Sequence, residues 1–234
     1  MYVKQVKFEG IPKSEFPFNL SFVRDMNEVT LSKNVTFITG ENGSGKSTFL
    51  ETIADLQDLN MEGGSRNNRF STVDAYANLS EACRLVRYPA YPKDMYFYRA
   101  ESFYNLVSDL DHLGVSDELF ARNLHQFSRG ESLKELISKR FFGHGLYLLD
   151  EPETGLSLQS QLEVLVMVHD LVQLDSQFII CTHSPILLMY PDADILEFSE
   201  TGITAVAQEE SRVIQQWDMI FQRKEAFFDQ LFED

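Results

Sequence analysis

The segment at 40–47, which reads GENGSGKS, combines glycines with a lysine and a hydroxyl residue in a spacing that suits phosphate binding. It fits the pattern G-x-x-x-x-G-K-[ST] of a phosphate-binding loop (P-loop) and follows an apolar run at 35–39. Glycines let successive backbone N–H groups turn inward around phosphate oxygens, and the start of the following helix adds partial positive charge. The alternative is a glycine-rich turn that binds nothing, but the flanking strand and helix favour the P-loop.

The chemistry of a P-loop assigns a role to its polar residues. Lys46 is expected to reach the β- and γ-phosphates of a nucleotide, and the Ser47 hydroxyl is expected to ligate Mg²⁺. The residues expected to contact the nucleotide are Asn42, Gly43, Ser44, Gly45, Lys46, Ser47 and Thr48.

Two acidic residues end the apolar run LYLLDE at 146–151. Asp150, at the carboxyl end of a predicted strand, is expected to hold Mg²⁺ directly or through water beside the P-loop. Glu151 can orient and deprotonate an attacking water. The alternative, in which these acids merely end a strand, is disfavoured because the P-loop is present in the same chain.

A third apolar run, FIICTHSP at 178–185, ends in polar residues. His183 can hydrogen-bond a γ-phosphate or the attacking water, although a single histidine in a loop can also be purely structural. Ser184 followed by Pro185 is a favourable helix start under either interpretation.

The order of these motifs along the chain resembles that of the ATP-binding-cassette (ABC) class of P-loop ATPases. FSRGES at 127–132 resembles the signature segment, and the P-loop, LLDEPE at 148–153 and THS at 182–184 complete the set. The resemblance is nearest to the soluble branch with RecF, SMC and OLD-type ATPases, and above all to small stand-alone bacterial AAA-family ATPases. It implies ATP with Mg²⁺ sandwiched between two copies of the chain, Glu151 as base and His183 as the switch histidine.

The resemblance also implies that the signature of one copy contacts the nucleotide of the other, through Ser128, Arg129 and Gly130. The usual form is Leu-Ser-Gly-Gly-Gln, so Arg129 stands where a glycine is common. It is either an arginine finger acting in trans or a surface residue near a helix start.

The chain departs from the family in two loops. No glutamine occurs in MYFYRAES at 95–102, where the family has one that contacts Mg²⁺. Either Glu101 or Arg99 replaces it, or the contact is missing and the segment is a salt-bridged strand end. The interface loop ETGLS at 153–157 lacks its common aspartate.

Strands and helices that alternate along the chain are expected to position these motifs. They predict an α/β fold of the P-loop NTPase kind, with a largely parallel central sheet and an antiparallel N-terminal β portion. Strands are predicted at 2–8, 19–24, 35–39, 95–98, 146–149, 178–181, 195–198 and 203–207. Helices are predicted at 46–59, 73–87, 103–113, 131–141, 158–174, 185–190 and 213–232. We expect one domain, 1–234, with a helical lobe that carries the signature at about 60–142.

Composition limits the partners. The chain has 20 Lys and Arg against 36 Asp and Glu, and its net charge of −16 opposes generic nucleic-acid binding, though local contact stays possible. No apolar run is long enough to span a bilayer, and Lys4, Lys7 and Glu9 lie where an export signal would be apolar. A cytoplasmic location is therefore expected.

Together these features predict a Mg²⁺-dependent ATPase that closes as a homodimer around ATP and opens after hydrolysis. The interval 49–127 is too short for the long coiled coil of SMC relatives. We therefore expect a stand-alone switch ATPase for an unknown protein partner, in DNA maintenance or defence. The alternatives are a transporter's nucleotide-binding subunit, an ATP-gated scaffold with negligible turnover and a small-molecule kinase.

Overall fold

The protein is built around a six-stranded sheet. The computed structural model describes residues 1–9, 16–61, 63–65, 79–102 and 129–232. The sheet has the order β5-β6-β7-β3-β8-β9, in which the first five strands are parallel and β9 is antiparallel to β8. Its strands are β3 (Val35–Gly40), β5 (Asp94–Arg99), β6 (Gly145–Asp150), β7 (Gln177–Cys181), β8 (Asp194–Ser199) and β9 (Gly202–Val206).

The central strands are buried on both faces, which explains why they are short, continuous apolar runs. Every residue of β6 and β7 is buried. Successive side chains point to opposite faces, so that Phe37 joins one core cluster and Ile38 the other. Helices cover both faces: α2 (Lys46–Asp55) lies on one, and α3 (Arg129–Arg140), α4 (Leu158–Gln173) and α5 (Pro185–Leu188) lie on the other.

A second, antiparallel sheet covers the α2 face, as the sequence predicts for the N-terminal portion. It has the order β2-β1-β4 and consists of β1 (Val3–Phe8), β2 (Glu28–Thr30) and β4 (Cys83–Arg87), with α1 (Ser21–Asp25) beside it. The buried side chain of Gln177 joins the two sheets. Its Oε1 accepts the backbone N–H groups of Tyr2 and Val3 at 2.7 and 2.9 Å, and its Nε2 donates to the Val3 carbonyl at 2.8 Å.

Three local predictions are wrong. The predicted strand at 19–24 is the helix α1, and the final residues of the predicted helix at 73–87 form the strand β4. The predicted helix at 213–232 is two helices, α6 (Arg212–Gln222) and α7 (Lys224–Phe232), which are separated at Arg223. The predicted helix at 103–113 lies outside the described residues.

The predicted helical lobe is only partly described. In the interval 60–142, β4 and β5 belong to the sheets and α3 is helical, whereas 66–78 and 103–128 lie outside the described residues. None of the helices described by the structure is both long and apolar enough to cross a bilayer.

Candidate active site

The glycines of the P-loop allow the tight turn from β3 into α2. Gly40, Gly43 and Gly45 all have positive φ, at 135°, 80° and 93°. A Cβ at Gly40 would lie 2.0 Å from the carbonyl oxygen of Phe198, and one at Gly45 would lie 2.6 Å from a ring carbon of Phe22. Only glycine fits at these two positions, because a side chain would meet both a strained backbone and a neighbouring group.

Lys46 begins α2 and folds back over the loop. Its buried ammonium group donates to the carbonyl oxygens of Gly40 and Glu41 at 3.0 and 2.8 Å. Burial lowers the pKa of Lys46, and the nearby carboxylates of Glu151 and Asp150 oppose that shift. The ammonium therefore lies inside the turn of the loop, where it can exchange carbonyl oxygens for phosphate oxygens.

Ser47 and Asp150 meet although they are far apart in the sequence. The Ser47 hydroxyl donates to Oδ1 of Asp150 at 3.3 Å. The strand order β6-β7-β3 brings the carboxyl end of β6 close to the start of α2, which follows β3. Burial raises the pKa of Asp150, and the Arg99 guanidinium and the Ser47 hydroxyl oppose that shift.

Glu151 stands next to this pair on a bent backbone. Its φ is +50°, a value that is uncommon for residues other than glycine. Its N–H donates to the Cys181 carbonyl at 3.0 Å, and its own carbonyl accepts the N–H of Thr154 at 3.1 Å. Glu151 is exposed, so its carboxylate can reach a water molecule at the sheet edge.

His183 lies beyond the end of β7 and is held by a residue that the sequence analysis missed. Its backbone N–H donates to Oε1 of Glu153 at 2.7 Å. Its ring Nε2 is buried and has no hydrogen-bond partner among the described residues. Burial lowers the pKa of His183, the Lys46 charge lowers it further, and Glu151 opposes the shift. The ring is therefore neutral near neutral pH, and its buried Nε2 is left unsatisfied within the described part of the chain.

The loop after His183 is fixed by the expected helix start. The Ser184 hydroxyl accepts the N–H groups of Ile186 and Leu187 at 3.1 and 3.2 Å, and it donates to Oε1 of Gln161 at 2.5 Å. Pro185 is the first residue of α5. These contacts restrain the backbone that carries the histidine.

In the segment 95–102, which lacks the glutamine common in the family, Arg99 is the residue that contacts Asp150. Its guanidinium lies 2.6 Å from the Glu51 carboxylate and 3.6 Å from that of Asp150. Glu101 is exposed, and its carboxylate lies 3.9 Å from Arg99. Burial raises the pKa of Glu51, and Arg99 opposes the shift. The sequence analysis also missed Glu51, because only the orientation of α2 directs it toward Asp150.

The signature residues are described in part. Ser128 lies outside the described residues, and Arg129 and Gly130 form the start of α3. Farther along α3, Leu133, Leu136 and Ile137 are buried in the same core cluster as residues of α4. The contacts expected in trans therefore stay a prediction.

The site fits a phosphate chain with a hard divalent cation. The loop at 40–45 turns through three glycines with positive φ, and Nε2 of His183 is a polar atom with no partner among the described residues. A hydroxyl and a carboxylate are the oxygen ligands that Mg²⁺ prefers, and Ser47 and Asp150 supply one of each. The arrangement can bind a magnesium nucleotide and offer a base to water.

Known ATP-binding proteins are similar to this chain. A family model described as an AAA domain matches residues 18–79. An uncharacterized ABC transporter ATP-binding protein of Haemophilus influenzae is 30% identical over 179 residues, which cover 68% of this chain and 67% of that protein. The zinc import ATP-binding protein ZnuC of Vibrio cholerae is 28% identical over 154 residues, 64% of this chain. The match spans only 56% of the length of that ZnuC.

A solved structure shares the fold. It is an inward-facing metal-chelate type ABC transporter, with a TM-score of 0.52 and 16% identity. The alignment covers 95% of this chain and 90% of the matched chain.

Proposed function

The chain belongs to the ABC class of P-loop ATPases, and on that premise we propose that it hydrolyses Mg²⁺-bound ATP between two copies of itself. The observation that carries this proposal is the convergence of Lys46, Ser47 and Asp150 at one edge of the sheet, with Glu151 and His183 beside them. Phosphate binding, cation binding and water activation then take place in one cleft. The transition between monomer and dimer during the ATPase cycle is then what a partner would sense.

Each residue has a task that its contacts support. Lys46 exchanges its two carbonyl acceptors for oxygens of the β- and γ-phosphates. Ser47 and Asp150 would hold Mg²⁺, which supplies charge neutralisation across the β- and γ-phosphates when it is bound. Loop N–H groups and the side chains at 42–48 orient the rest of the phosphate chain.

Water attack depends on the two residues that follow β6 and β7. Glu151 accepts a proton from the attacking water, since its carboxylate is exposed beside the buried pair. The neutral His183 ring uses Nε2 to hold the water or a γ-phosphate oxygen. Glu153 holds the His183 backbone and thus acts as a positioning residue.

The second copy would close the site with its signature segment, 128–130. The start of α3 can direct backbone N–H groups at a γ-phosphate across the dimer. Arg129 would then lie at the interface, either as a finger or as a surface charge. We propose that the closed dimer signals to a protein partner, in DNA maintenance or defence, and that the chain acts in the cytoplasm.

The names of the curated relatives favour one alternative output. Both the H. influenzae protein and ZnuC are ATP-binding proteins of transport systems. Under this alternative the chain powers a membrane-spanning partner. Co-purification of the chain with an integral membrane protein would favour it over the stand-alone switch.

The test of the sandwich is a substitution that separates binding from hydrolysis. Glu151→Gln keeps the phosphate and cation ligands but removes the base, so ATP should trap a dimer. We expect size-exclusion chromatography with light scattering to show twice the monomer mass with ATP and monomer with ADP. Phosphate release should fall by roughly a hundredfold or more, as expected when a general base is lost.

A second substitution controls for nucleotide-independent association. Lys46→Ala combined with Glu151→Gln should stay monomeric in ATP, because it lacks the phosphate-binding ammonium. If Glu151→Gln alone remains monomeric in ATP at high protein concentration, the sandwich is wrong.

A further inference from the structure

A large apolar groove lies beside the His183 loop. It has a volume of about 670 Å³ and lies between the start of α4, the helix α5 and the helix α6. Its apolar lining includes the side chains of Leu158, Ile186, Met189, Ile214, Trp217 and Phe221. A surface of this kind on a folded chain usually marks an interaction site.

The apolar side chains of the groove are unusually exposed. Leu158, Met189 and Phe221 are exposed by 60%, 63% and 74%, and none of the α6 residues is buried. On α6, the positions of Ile214, Trp217 and Phe221 follow a helical period, so these side chains form one stripe along about two turns. The rings of Trp217 and Phe221 stack with centroids 5.4 Å apart, which makes a continuous apolar wall.

The charged groups that line the groove are acidic within the described part of the chain. Glu153, Glu209 and Asp218 line it there, and no lysine or arginine is among the described lining residues. The nearby Arg212 is already paired, since its guanidinium lies 2.9 Å from Glu197 and 3.6 Å from Glu41. An occupant with positive charge beside its apolar side chains would therefore be attracted.

We propose that this groove docks an amphipathic helix of a partner protein, with lysine or arginine flanking its apolar face. A groove lined by helices suits a further helix, whose side chains at i, i+3 and i+7 fill it. Without nucleotide a second copy of this chain is a poorer occupant, because each copy carries a net charge of −16 and no ATP is bound between the copies to offset the repulsion.

The groove is connected to the nucleotide site at two places. His183 and Glu153 line it directly. In addition, α6 begins at Arg212, whose guanidinium contacts Glu41 of the P-loop. On the basis of the proposed function, we infer that occupancy of the groove and the nucleotide state affect each other.

The single tryptophan of the chain makes the docking measurable. Trp217 lines the groove, so its fluorescence should shift to shorter wavelength when a helix covers it. The probe is a synthetic amphipathic peptide of leucine and lysine, about five helical turns long and free of aromatic residues. A peptide of leucine and glutamate with the same pattern should bind at least roughly tenfold more weakly.

Substitutions locate the binding. Phe221→Asp should lower the affinity for the leucine–lysine peptide by roughly tenfold or more, because it places a charge in the apolar wall. Phe232→Asp is the matched control, since Phe232 is also exposed but does not line the groove. Asp218→Lys should lower the affinity for the leucine–lysine peptide and raise the affinity for the leucine–glutamate peptide. Equal binding of both peptides, or equal effects of the two phenylalanine substitutions, would overturn the proposal.

Self-association is the competing outcome. Sedimentation velocity without nucleotide should show a monomer whose behaviour does not change with Phe221→Asp. A concentration-dependent dimer that Phe221→Asp abolishes would identify a second copy as the occupant and overturn the partner helix.

The connection between the groove and the nucleotide site is tested separately, by measuring peptide affinity with different nucleotides. The peptide should bind wild-type protein with different affinity in ADP and in a non-hydrolysable ATP analogue, by roughly threefold or more. Equal affinity would overturn the coupling and leave docking intact. The Lys46→Ala variant should bind the peptide with wild-type affinity, and that affinity should not change with nucleotide. Failure of the proposed function is therefore distinguishable from failure of the docking proposal.

Discussion

The Arg99 guanidinium lies between two carboxylates, those of Glu51 and Asp150, at the end of β5. Its side chain is 18% exposed, so Arg99 and these two carboxylates form a partly buried cluster, with the exposed Glu101 at its edge. Burial raises the pKa of both acids, and Arg99 opposes both shifts. A residue outside the P-loop motif therefore helps to keep the proposed metal ligand ionised.

Removing this cation should destabilise the protein in a pH-dependent way. We expect Arg99→Ala to lower the free energy of unfolding by about 3 kcal/mol near pH 7, because two carboxylates lose their buried partner. Without Arg99 their pKa values rise further, so the folded variant takes up protons more readily. The loss should therefore shrink as the pH falls from about 7 toward 5. Urea unfolding of both proteins at each pH measures this.

A surface arginine provides the control for that experiment. Arg84 pairs with Glu9 at 2.6 Å, but its side chain is 66% exposed. Arg84→Ala should cost less than about 1 kcal/mol at any pH. If the two variants lose the same free energy, Arg99 does not stabilise the acids.

Contiguous motifs made part of the site predictable at this scale. Lys46 and Ser47 belong to the P-loop pattern, and Asp150 ends an apolar strand, so sequence alone places them at one sheet edge. Glu51 and Glu153 were missed because their roles depend on the orientation of α2 and on the approach of the loop after β6 to that after β7. Neither of these two arrangements can be read from the residue types nearby in the sequence.

At the scale of elements, the turn from β3 to α2 depends on close approach to β8. Gly40 pairs with Phe198 in the parallel ladder, and its φ of +135° suits glycine. The same residue thus ends a central strand and begins the P-loop. A side chain there would disturb both.

Gly40→Ala should destabilise the whole sheet. We expect a loss of about 3 kcal/mol or more, because the added Cβ would lie 2.0 Å from a backbone oxygen that cannot easily move. Gly43→Ala is the control, since nothing lies within 4 Å of its Cβ and only the positive φ costs about 1 kcal/mol. Thermal unfolding followed by circular dichroism compares them. Equal melting temperatures for the two variants would contradict the structural reason.

The central strands of the fold could be predicted, but several peripheral elements could not. Strands β3, β6 and β7 are buried on both sides, so their apolar runs identify them. By contrast, Cys83–Arg87 is extended because it pairs with β1, a partner more than seventy residues away. The prediction for 19–24 failed because its apolar residues pack as a short helix onto the second core cluster.

At the scale of the whole molecule, a sandwich requires each site to draw on two copies. In the proposed sandwich the P-loop, Asp150 and Glu151 would form one half-site, and the signature at 128–130 would form the other. A closed dimer with twofold symmetry would contain two such composite sites. Defects in opposite halves can then complement each other.

Mixing two inactive variants should restore turnover. Lys46→Ala removes phosphate binding, and Ser128→Arg places bulk in the signature. In their heterodimer one site has both defects and the other has none. An equal mixture should therefore recover about a quarter of wild-type phosphate release, since half of the dimers are mixed.

The control mixture places both defects in the same half. Lys46→Ala mixed with Glu151→Gln leaves no intact site in any dimer, so it should recover nothing. Recovery in both mixtures, or in neither, would contradict the composite site.

The backbone at Glu151 has a cost for the chain. A left-handed turn is least strained with glycine or asparagine, and glutamate occupies it at a cost of about 1 kcal/mol. Neither of these replacements carries a carboxylate, and aspartate, which does, has a shorter side chain. The proposed base therefore lowers fold stability at this position, and changes selected only for heat resistance would tend to remove it.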